Sequence, residues 1–193
     1  MRKIIVHEFI SLDGVIQAPG APDEDTEGGF VHGGWTLPYF HDDMGAHFLQ
    51  IMGEADTLLL GRKTWVTHGA AFEPMVDDPF GSVMNAVHKV VVSTTLKSAD
   101  AWRNSILISR NVVDEVIKLK EQPGKNILMD GSSVLIHTLI ENGLVDEFHL
   151  HIHPVVLGSG KRLFRAGRRL DLKLLESKAL PTGVVLQRYQ LAK

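Results

Sequence analysis

The chain has 193 residues, of which 44% are hydrophobic and 22% are charged, with no cysteine and a formal net charge of -3. This length and composition fit one globular domain, residues 1–193, and the lack of cysteine excludes disulfides, thiolate metal sites and cysteine nucleophiles. The small negative charge gives no general attraction to nucleic acid or membranes. No apolar run approaches the roughly 18 residues that span a bilayer, and the N-terminus does not form a signal peptide's apolar region. We therefore predict a cytoplasmic protein without nucleic-acid or membrane partners.

Short apolar runs alternate with helical patterns, which predicts an α/β fold with a mostly parallel central sheet flanked by helices. The predicted strands are 4–10, 57–60, 89–92, 105–108, 126–129 and 146–156. The predicted helices are 42–52, 79–87, one that begins near 112 and stops at Gln122-Pro123-Gly124, and 133–142. Two final strands, 170–180 and 184–191, indicate a C-terminal antiparallel hairpin. The long loop from Ser11 to about Tyr39 is expected to cover part of the molecule.

Three polar segments directly follow predicted strands: Gly61-Arg62-Lys63-Thr64, Ser93-Thr94-Thr95 and Asp130-Gly131-Ser132-Ser133. In an open parallel sheet these strand ends share one edge, which is where ligands bind. Glycine lets the backbone approach a ligand closely, and a helix N-terminus offers free N–H groups to phosphate. Each segment alone is more simply explained as helix capping, but the three together, one with an arginine that can bind phosphate in a bidentate manner, favour a nucleotide site.

The same segments carry a resemblance to a known family. Residues 58–65 (LLLGRKTW) resemble the strand-to-helix cofactor motif of dihydrofolate reductases, and 90–95 (VVVSTT) resemble their next cofactor-contacting strand end. Residues 127–164, which include Asp130-Gly131-Ser132, LIENGLVDE and PVVLGSG, resemble the reductase domain of the riboflavin biosynthesis deaminase-reductase. Ser11-Leu12-Asp13-Gly14 belongs to the same pattern. The resemblance covers nearly the whole chain, with the motifs in the family's order.

The resemblance implies a dihydrofolate reductase-like fold, an NADPH-dependent reductase and a homodimer. It places cofactor phosphates and the adenosine side at Gly61, Arg62 and Thr64, and the 2′-phosphate end at Ser93 and Thr94. It places the pyrophosphate at Gly131, Ser132 and Ser133. Many members have Gly-Gly where this chain has Asp130-Gly131. A carboxylate beside a pyrophosphate is repulsive unless it points away, so Asp130 itself is not expected to contact phosphate.

Fewer residues point to a substrate. Asp13 ends the first strand where the family has its nicotinamide-side loop, and it is a candidate for orienting substrate or relaying a proton; an Asx-turn role is equally compatible with Leu-Asp-Gly. Trp35 lies in Trp-Thr-Leu-Pro, which resembles a dihydrofolate reductase motif, but the acidic residues that follow are out of register, so folate reduction is not expected. Gly158, Gly160 and Lys161 are candidates for binding a substrate phosphate.

Three histidines alternate on one predicted strand, at His149, His151 and His153, and so share a face. Imidazoles on one face are potential zinc ligands. The outer two are separated by roughly 13 Å at about 3.3 Å per residue, which is too far to share one ion. No metal site is therefore expected from this strand alone; packing, an intersubunit contact or a surface ladder explains the pattern better.

Two functions remain open from the sequence. One is an NADPH-dependent reductase that transfers a hydride to a small heterocyclic or phosphoribosyl substrate, with 5-amino-6-(5-phosphoribosylamino)uracil as a specific candidate. The zinc signature of the deaminase half is missing, so the chain cannot perform the preceding deamination. The alternative is a non-catalytic nucleotide-binding or regulatory dimer that retains the fold, because fold alone does not fix function.

Overall fold

The computed structural model describes residues 1–192 and is built on one eight-stranded sheet with five α-helices. The strands are β1 (Ile4–Ser11), β2 (Ala55–Gly61), β3 (His88–Val92), β4 (Ser105–Ile108), β5 (Asn126–Met129), β6 (Glu147–His153), β7 (Leu172–Ala179) and β8 (Val185–Leu191). The helices are α1 (Asp42–Glu54), α2 (Arg62–Phe72), α3 (Pro79–Ala86), α4 (Val112–Glu121) and α5 (Ser133–Glu141).

The strands lie in the order β4-β3-β2-β5-β1-β6-β8-β7. The first six are parallel, whereas β8 pairs antiparallel with both β6 and β7. The predicted mostly parallel sheet and closing hairpin are therefore confirmed. Parallel strands with both faces covered have nearly continuous apolar sequences, which is why β2 and β5 could be recognised from short apolar runs. The carboxyl ends of β1, β2, β3 and β5 share one edge.

Helices cover both faces of the sheet. One hydrophobic core lies between the sheet and helices α4 and α5, and it includes Val6, Met129 and Ile136. The other core lies between the opposite face and helices α1, α2 and α3, and it includes Ile5 and Phe48. Side chains of successive strand residues point to opposite faces, so β1 contributes to both cores alternately.

Helix α2 (Arg62–Phe72) was not among the predicted helices, and the largest boundary difference is at β6. The predicted strand 146–156 ends at His153, because Pro154 lacks an N–H to continue the ladder. The chain turns there, and the backbone N–H of Val155 donates to the carbonyl of His153 at 2.8 Å. Within residues 1–192, no helix combines the length and apolar character that a membrane span requires.

The long loop after β1 packs a small core of its own, which contains Val15, Phe30 and Trp35. The side chain of Gln17 fixes this loop, because its amide nitrogen donates to the carbonyls of Asp25 and Glu27, each at 3.0 Å. The loop thereby lies beside the carboxyl end of β6, as the sequence prediction of a covering loop anticipated.

Candidate functional site

Two of the three polar segments meet where β2 and β5 end. The backbone N–H of Gly61 donates to the carbonyl of Gly131 at 3.2 Å. The approach is close enough that a Cβ on Gly61 would lie 2.2 Å from the Oγ of Ser132. A Cβ on Gly131, which has φ of 80°, would lie 2.6 Å from Oγ1 of Thr64. The fold therefore brings four of the predicted cofactor residues together and requires glycine at two of them.

The start of α5 has no side-chain cap. Ser132 is the N-cap residue, yet its side chain makes no capping hydrogen bond. The first N–H groups of the helix thus lack a partner from this hydroxyl, and a helix N-terminus favours negative charge. Ser133, the first residue of α5, is buried.

Arg62 is the first residue of α2 and is exposed beside this corner. Among residues 1–192, its guanidinium makes no side-chain hydrogen bond or ion pair. The Gly61 end of β2 pairs with Val92, the last residue of β3, so Ser93 and Thr94 follow on the same edge. Thr94 is exposed, whereas the Oγ of Ser93 accepts from the backbone N–H groups of Thr95 and Leu96 and therefore holds a turn.

Asp130 points away from the proposed phosphate position. Its carboxylate lies 3.3 Å from Nε2 of His68 and 3.6 Å from Nδ1 of His7. Burial alone would raise the pKa of Asp130, but the two imidazoles outweigh it and hold that pKa far below its usual range. Asp130 in turn raises the pKa of His68 against the opposing effect of burial. The Asp130 carboxylate thus faces two histidines, which reduces the expected conflict with a pyrophosphate.

Asp13 is held in place by its neighbours. Its carboxylate accepts hydrogen bonds from the hydroxyl of Ser11 at 2.7 Å and from the backbone N–H groups of Leu157 and Gly158 at 3.1 and 2.9 Å. Burial alone would raise its pKa, but these bonds lower it to about 2. A carboxylate with this pKa has no proton to give near neutral pH. None of these bonds is the contact to the N–H two residues on that defines an Asx-turn; they hold Asp13 against the segment after β6, and its role in catalysis stays a prediction.

The other predicted substrate-binding residues also form contacts within the protein. Trp35 is buried and its indole N–H donates to the carbonyl of Gln17 at 2.8 Å. Gly160 has φ of 118°, and a Cβ there would lie 2.7 Å from Val15. The ammonium of Lys161 contacts the carboxylates of Asp25 and Glu27, at 2.5 Å each. Gly158 is exposed and donates to Asp13. These contacts attach the long loop to the segment after β6. Substrate binding at these positions stays a prediction.

The sequence interpretation missed Glu8, which follows His7 in the middle of β1. The Glu8 side chain is buried, and its Oε1 has no hydrogen-bond partner among residues 1–192. Burial raises the pKa of Glu8 well above its usual range, and the Asp130 carboxylate raises it further, against an opposing effect of the Gly131 backbone N–H. A buried carboxylic acid thus lies beside the predicted pyrophosphate turn. The sequence feature that could have pointed to Glu8 is the His7-Glu8 pair inside an otherwise mostly apolar strand.

The histidines of β6 are buried rather than arranged on a surface. His149, His151 and His153 are each at most 2% exposed. Burial lowers the pKa of all three, and it lowers the pKa of the neighbouring His47 of α1 to about 4. Of the explanations weighed from the sequence, packing therefore agrees with the structure and a surface ladder is wrong.

Comparisons with known proteins agree on the fold and the family. The family description "RibD C-terminal domain" matches residues 2–186. The Bacillus subtilis (strain 168) protein YyaP is 36% identical over 190 residues, which cover 95% of this chain and 92% of YyaP. YwjB of the same organism is 27% identical over 165 residues, 84% of this chain and 83% of YwjB.

Solved structures of the same fold include a pyrimidine reductase-like protein from Corynebacterium diphtheriae, with a TM-score of 0.66 at 14% identity, covering 100% of this chain and 92% of that one. Another is the dihydrofolate reductase of Enterococcus faecalis in complex with NADP(H), with a TM-score of 0.65 at 12% identity, covering 99% and 97%. The dihydrofolate reductase-like fold predicted from the sequence is thus confirmed. Since the family match spans nearly the whole chain and YyaP exceeds 30% identity over almost all of it, the protein belongs to the RibD C-terminal domain family.

Proposed function

We propose that the chain is an NADPH-dependent reductase that transfers a hydride to a small heterocyclic or phosphoribosyl substrate. The observation that carries the proposal is the corner formed by Gly61, Thr64, Gly131 and Ser132, with an uncapped helix N-terminus beside it. Family membership supports a reductase, and a dihydrofolate reductase of the same fold is described in complex with NADP(H). NADPH would supply the hydride, and the protein would supply binding, orientation and a proton.

The residues at the corner fit a dinucleotide phosphate. Backbone N–H groups at the start of α5 and the Ser132 hydroxyl would bind the pyrophosphate, and Asp130 would not oppose it because its carboxylate is turned toward His68 and His7. Arg62 and Thr94, both exposed on the same edge, would bind the adenosine side. The specific substrate that we propose to test first is 5-amino-6-(5-phosphoribosylamino)uracil, because the chain belongs to the RibD C-terminal domain family.

Glu8 is the group that we propose as proton donor. Glu8 lies within β1 and Asp130 directly follows the adjacent strand β5, and the surroundings of the two carboxyl groups shift their pKa values in opposite directions. Such a pair assigns one residue as acid and the other as a fixed charge. Burial and the Asp130 carboxylate raise the pKa of Glu8 and so favour its protonated form, whereas His68 and His7 lower the pKa of Asp130 and favour its ionised form. Glu8 therefore replaces Asp13 as the candidate proton source.

The direct test is titration of the protein with NADPH, followed by NADPH oxidation assays with ribosylaminopyrimidines and with dihydropterins. We expect saturable NADPH binding and turnover of a ribosylaminopyrimidine. Failure to bind NADPH at millimolar concentration would contradict the proposal. Binding without turnover of any candidate would instead favour the non-catalytic regulatory dimer.

Replacement of Arg62 by Ala is expected to weaken NADPH binding about tenfold or more and to change NADH binding little, because an arginine–phosphate pair is a charge-assisted bidentate contact worth roughly 1.5–3 kcal/mol. Fluorescence titration with both nucleotides measures the two affinities. The matched control is Arg169→Ala, because Arg169 is exposed and pairs with Asp171 away from the corner. Equal losses for NADPH and NADH in Arg62→Ala would count against a 2′-phosphate role.

A further inference from the structure

Three histidines from three separate elements converge in the structure. His7 belongs to β1, His47 to α1 and His151 to β6, and one ring nitrogen of each lies within 4.8 Å of the other two. Nδ1 of His47 and Nε2 of His151 are 2.9 Å apart. The ring centroids of His7 and His151 are 4.8 Å apart. On β6 alone the histidines are too far apart to share an ion, but only His151 is needed here, because β1 and α1 supply the others.

Nδ1 of His47 and Nε2 of His151 share a hydrogen bond, but three other ring nitrogens of the cluster have no partner among residues 1–192. His7 is 1% exposed, and neither of its ring nitrogens has a hydrogen-bond partner among residues 1–192. His151 is fully buried, and its Nδ1 is likewise without a partner within those residues. A buried donor or acceptor without a partner destabilises the folded state. Histidines kept in this state without a ligand would be a net cost, whereas a bound ion would use their lone pairs.

The geometry points to a divalent zinc site with His7, His47 and His151 as its protein ligands. Zinc binds imidazole nitrogen at about 2.0–2.1 Å in tetrahedral geometry, so ligating nitrogens lie roughly 3.4 Å apart. The His47–His151 separation of 2.9 Å is somewhat shorter than that value, and all three nitrogens lie within 4.8 Å of one another, which is the range in which one ion can be shared. Three protein ligands leave a fourth position for water or a substrate atom, and His47 is only partly buried, so that position is reached from solvent.

The surroundings of the cluster suit a cation. The Asp130 carboxylate lies 3.6 Å from Nδ1 of His7, which leaves Nε2 of that ring for the ion. Metal-bound histidines commonly have a carboxylate at the other ring nitrogen, where it fixes the orientation of the ring. His149 and His153 are less suited, because Nε2 of His149 lies 3.2 Å from Glu147 and Nδ1 of His153 donates to the carbonyl of His151.

The test uses tag-free protein freed of metal with a chelator and then titrated with Zn²⁺ by calorimetry. We expect one Zn²⁺ per chain and an increase in Tm. His47→Ala is expected to lower Zn²⁺ affinity by at least about 100-fold, the upper end of the loss caused by removing an outer-shell partner. The matched control is His88→Ala, since His88 is exposed at the start of β3 and lies outside the cluster. Unchanged Zn²⁺ affinity in His47→Ala would overturn the inference.

A second measurement does not depend on a variant. Co²⁺ replaces Zn²⁺ in tetrahedral sites and gives intense visible absorption there, whereas octahedral Co²⁺ absorbs weakly. We expect the intense spectrum at one equivalent of Co²⁺, and its loss on addition of Zn²⁺. Weak absorption only, or no saturable binding of either ion, would overturn the inference. None of these readouts needs NADPH or turnover, so the zinc site and the proposed reductase succeed or fail separately.

Discussion

Replacement of Glu8 by Gln is expected to lower kcat by about 10²- to 10⁴-fold, the range that a positioned general acid contributes, while NADPH affinity stays within about twofold. The substitution keeps the size and hydrogen-bonding shape of the side chain but removes the proton. Glu8 is buried with its pKa raised, and Oε1 has no partner in residues 1–192, so the proton is not committed elsewhere. Single-turnover kinetics with NADPH measure the chemical step directly.

The pH dependence of the wild type gives the same assignment a second check. The protonated form of Glu8 is the active one, so kcat is expected to fall as pH rises through its raised pKa and to remain level below it. In Glu8→Gln this limb should vanish. The control is Asp13→Asn: because Asp13 is already ionised, with a pKa of about 2, its replacement should affect loop stability rather than the pH profile. Near-normal kcat in Glu8→Gln with a large loss in Asp13→Asn would reverse the assignment.

Replacement of Gly131 by Ala is expected to lower the free energy of unfolding by about 3 kcal/mol and NADPH affinity by about tenfold or more. The first contribution is the left-handed backbone, with φ of 80°, which costs an L-residue roughly 1–2 kcal/mol. The second is the new Cβ, 2.6 Å from Oγ1 of Thr64, an overpacked contact that typically costs about 1–3 kcal/mol. Denaturant unfolding and NADPH titration measure the two effects.

Two controls separate these contributions. Gly167 has φ of 78° and no atom within 4 Å of an added Cβ, so Gly167→Ala should show only the backbone cost. In the double variant Gly131→Ala/Thr64→Ala, the clashing oxygen is gone, and part of the lost stability should return as a coupling energy. Equal destabilisation by Gly131→Ala and Gly167→Ala would mean that the close approach to Thr64 contributes nothing.

Much of the architecture followed from local patterns. The apolar runs at β2, β3 and β5 predicted buried parallel strands, and the polar segments after them predicted the edge at which Gly61 and Gly131 do meet. These predictions succeed because burial on both faces imposes an apolar sequence on the strand itself, and because the carboxyl ends of parallel strands share one edge by topology.

Side-chain roles were less predictable. Leu-Asp-Gly is compatible with a turn or with a catalytic aspartate, and the choice depends on Leu157 and Gly158, which lie more than a hundred residues further along the chain. Trp35 and Gly160 stand in motif-like segments, yet the loop core they build around Val15 accounts for both. A motif gives the order of residue types along the chain. The role of a side chain depends on which neighbours in the folded protein already form hydrogen bonds or packing contacts with it.

The sequence by itself determined the fold class, the family and the polar segments at the ends of β2 and β5, because each is set by residues close together in the chain. Only the tertiary structure decided that Asp130 turns toward His68 and His7, that Glu8 is a buried acid, and that His47 meets His151 from 104 residues away. The physical reason is that burial and the nearest opposite charge set a protonation state, and both arise only when distant segments pack together.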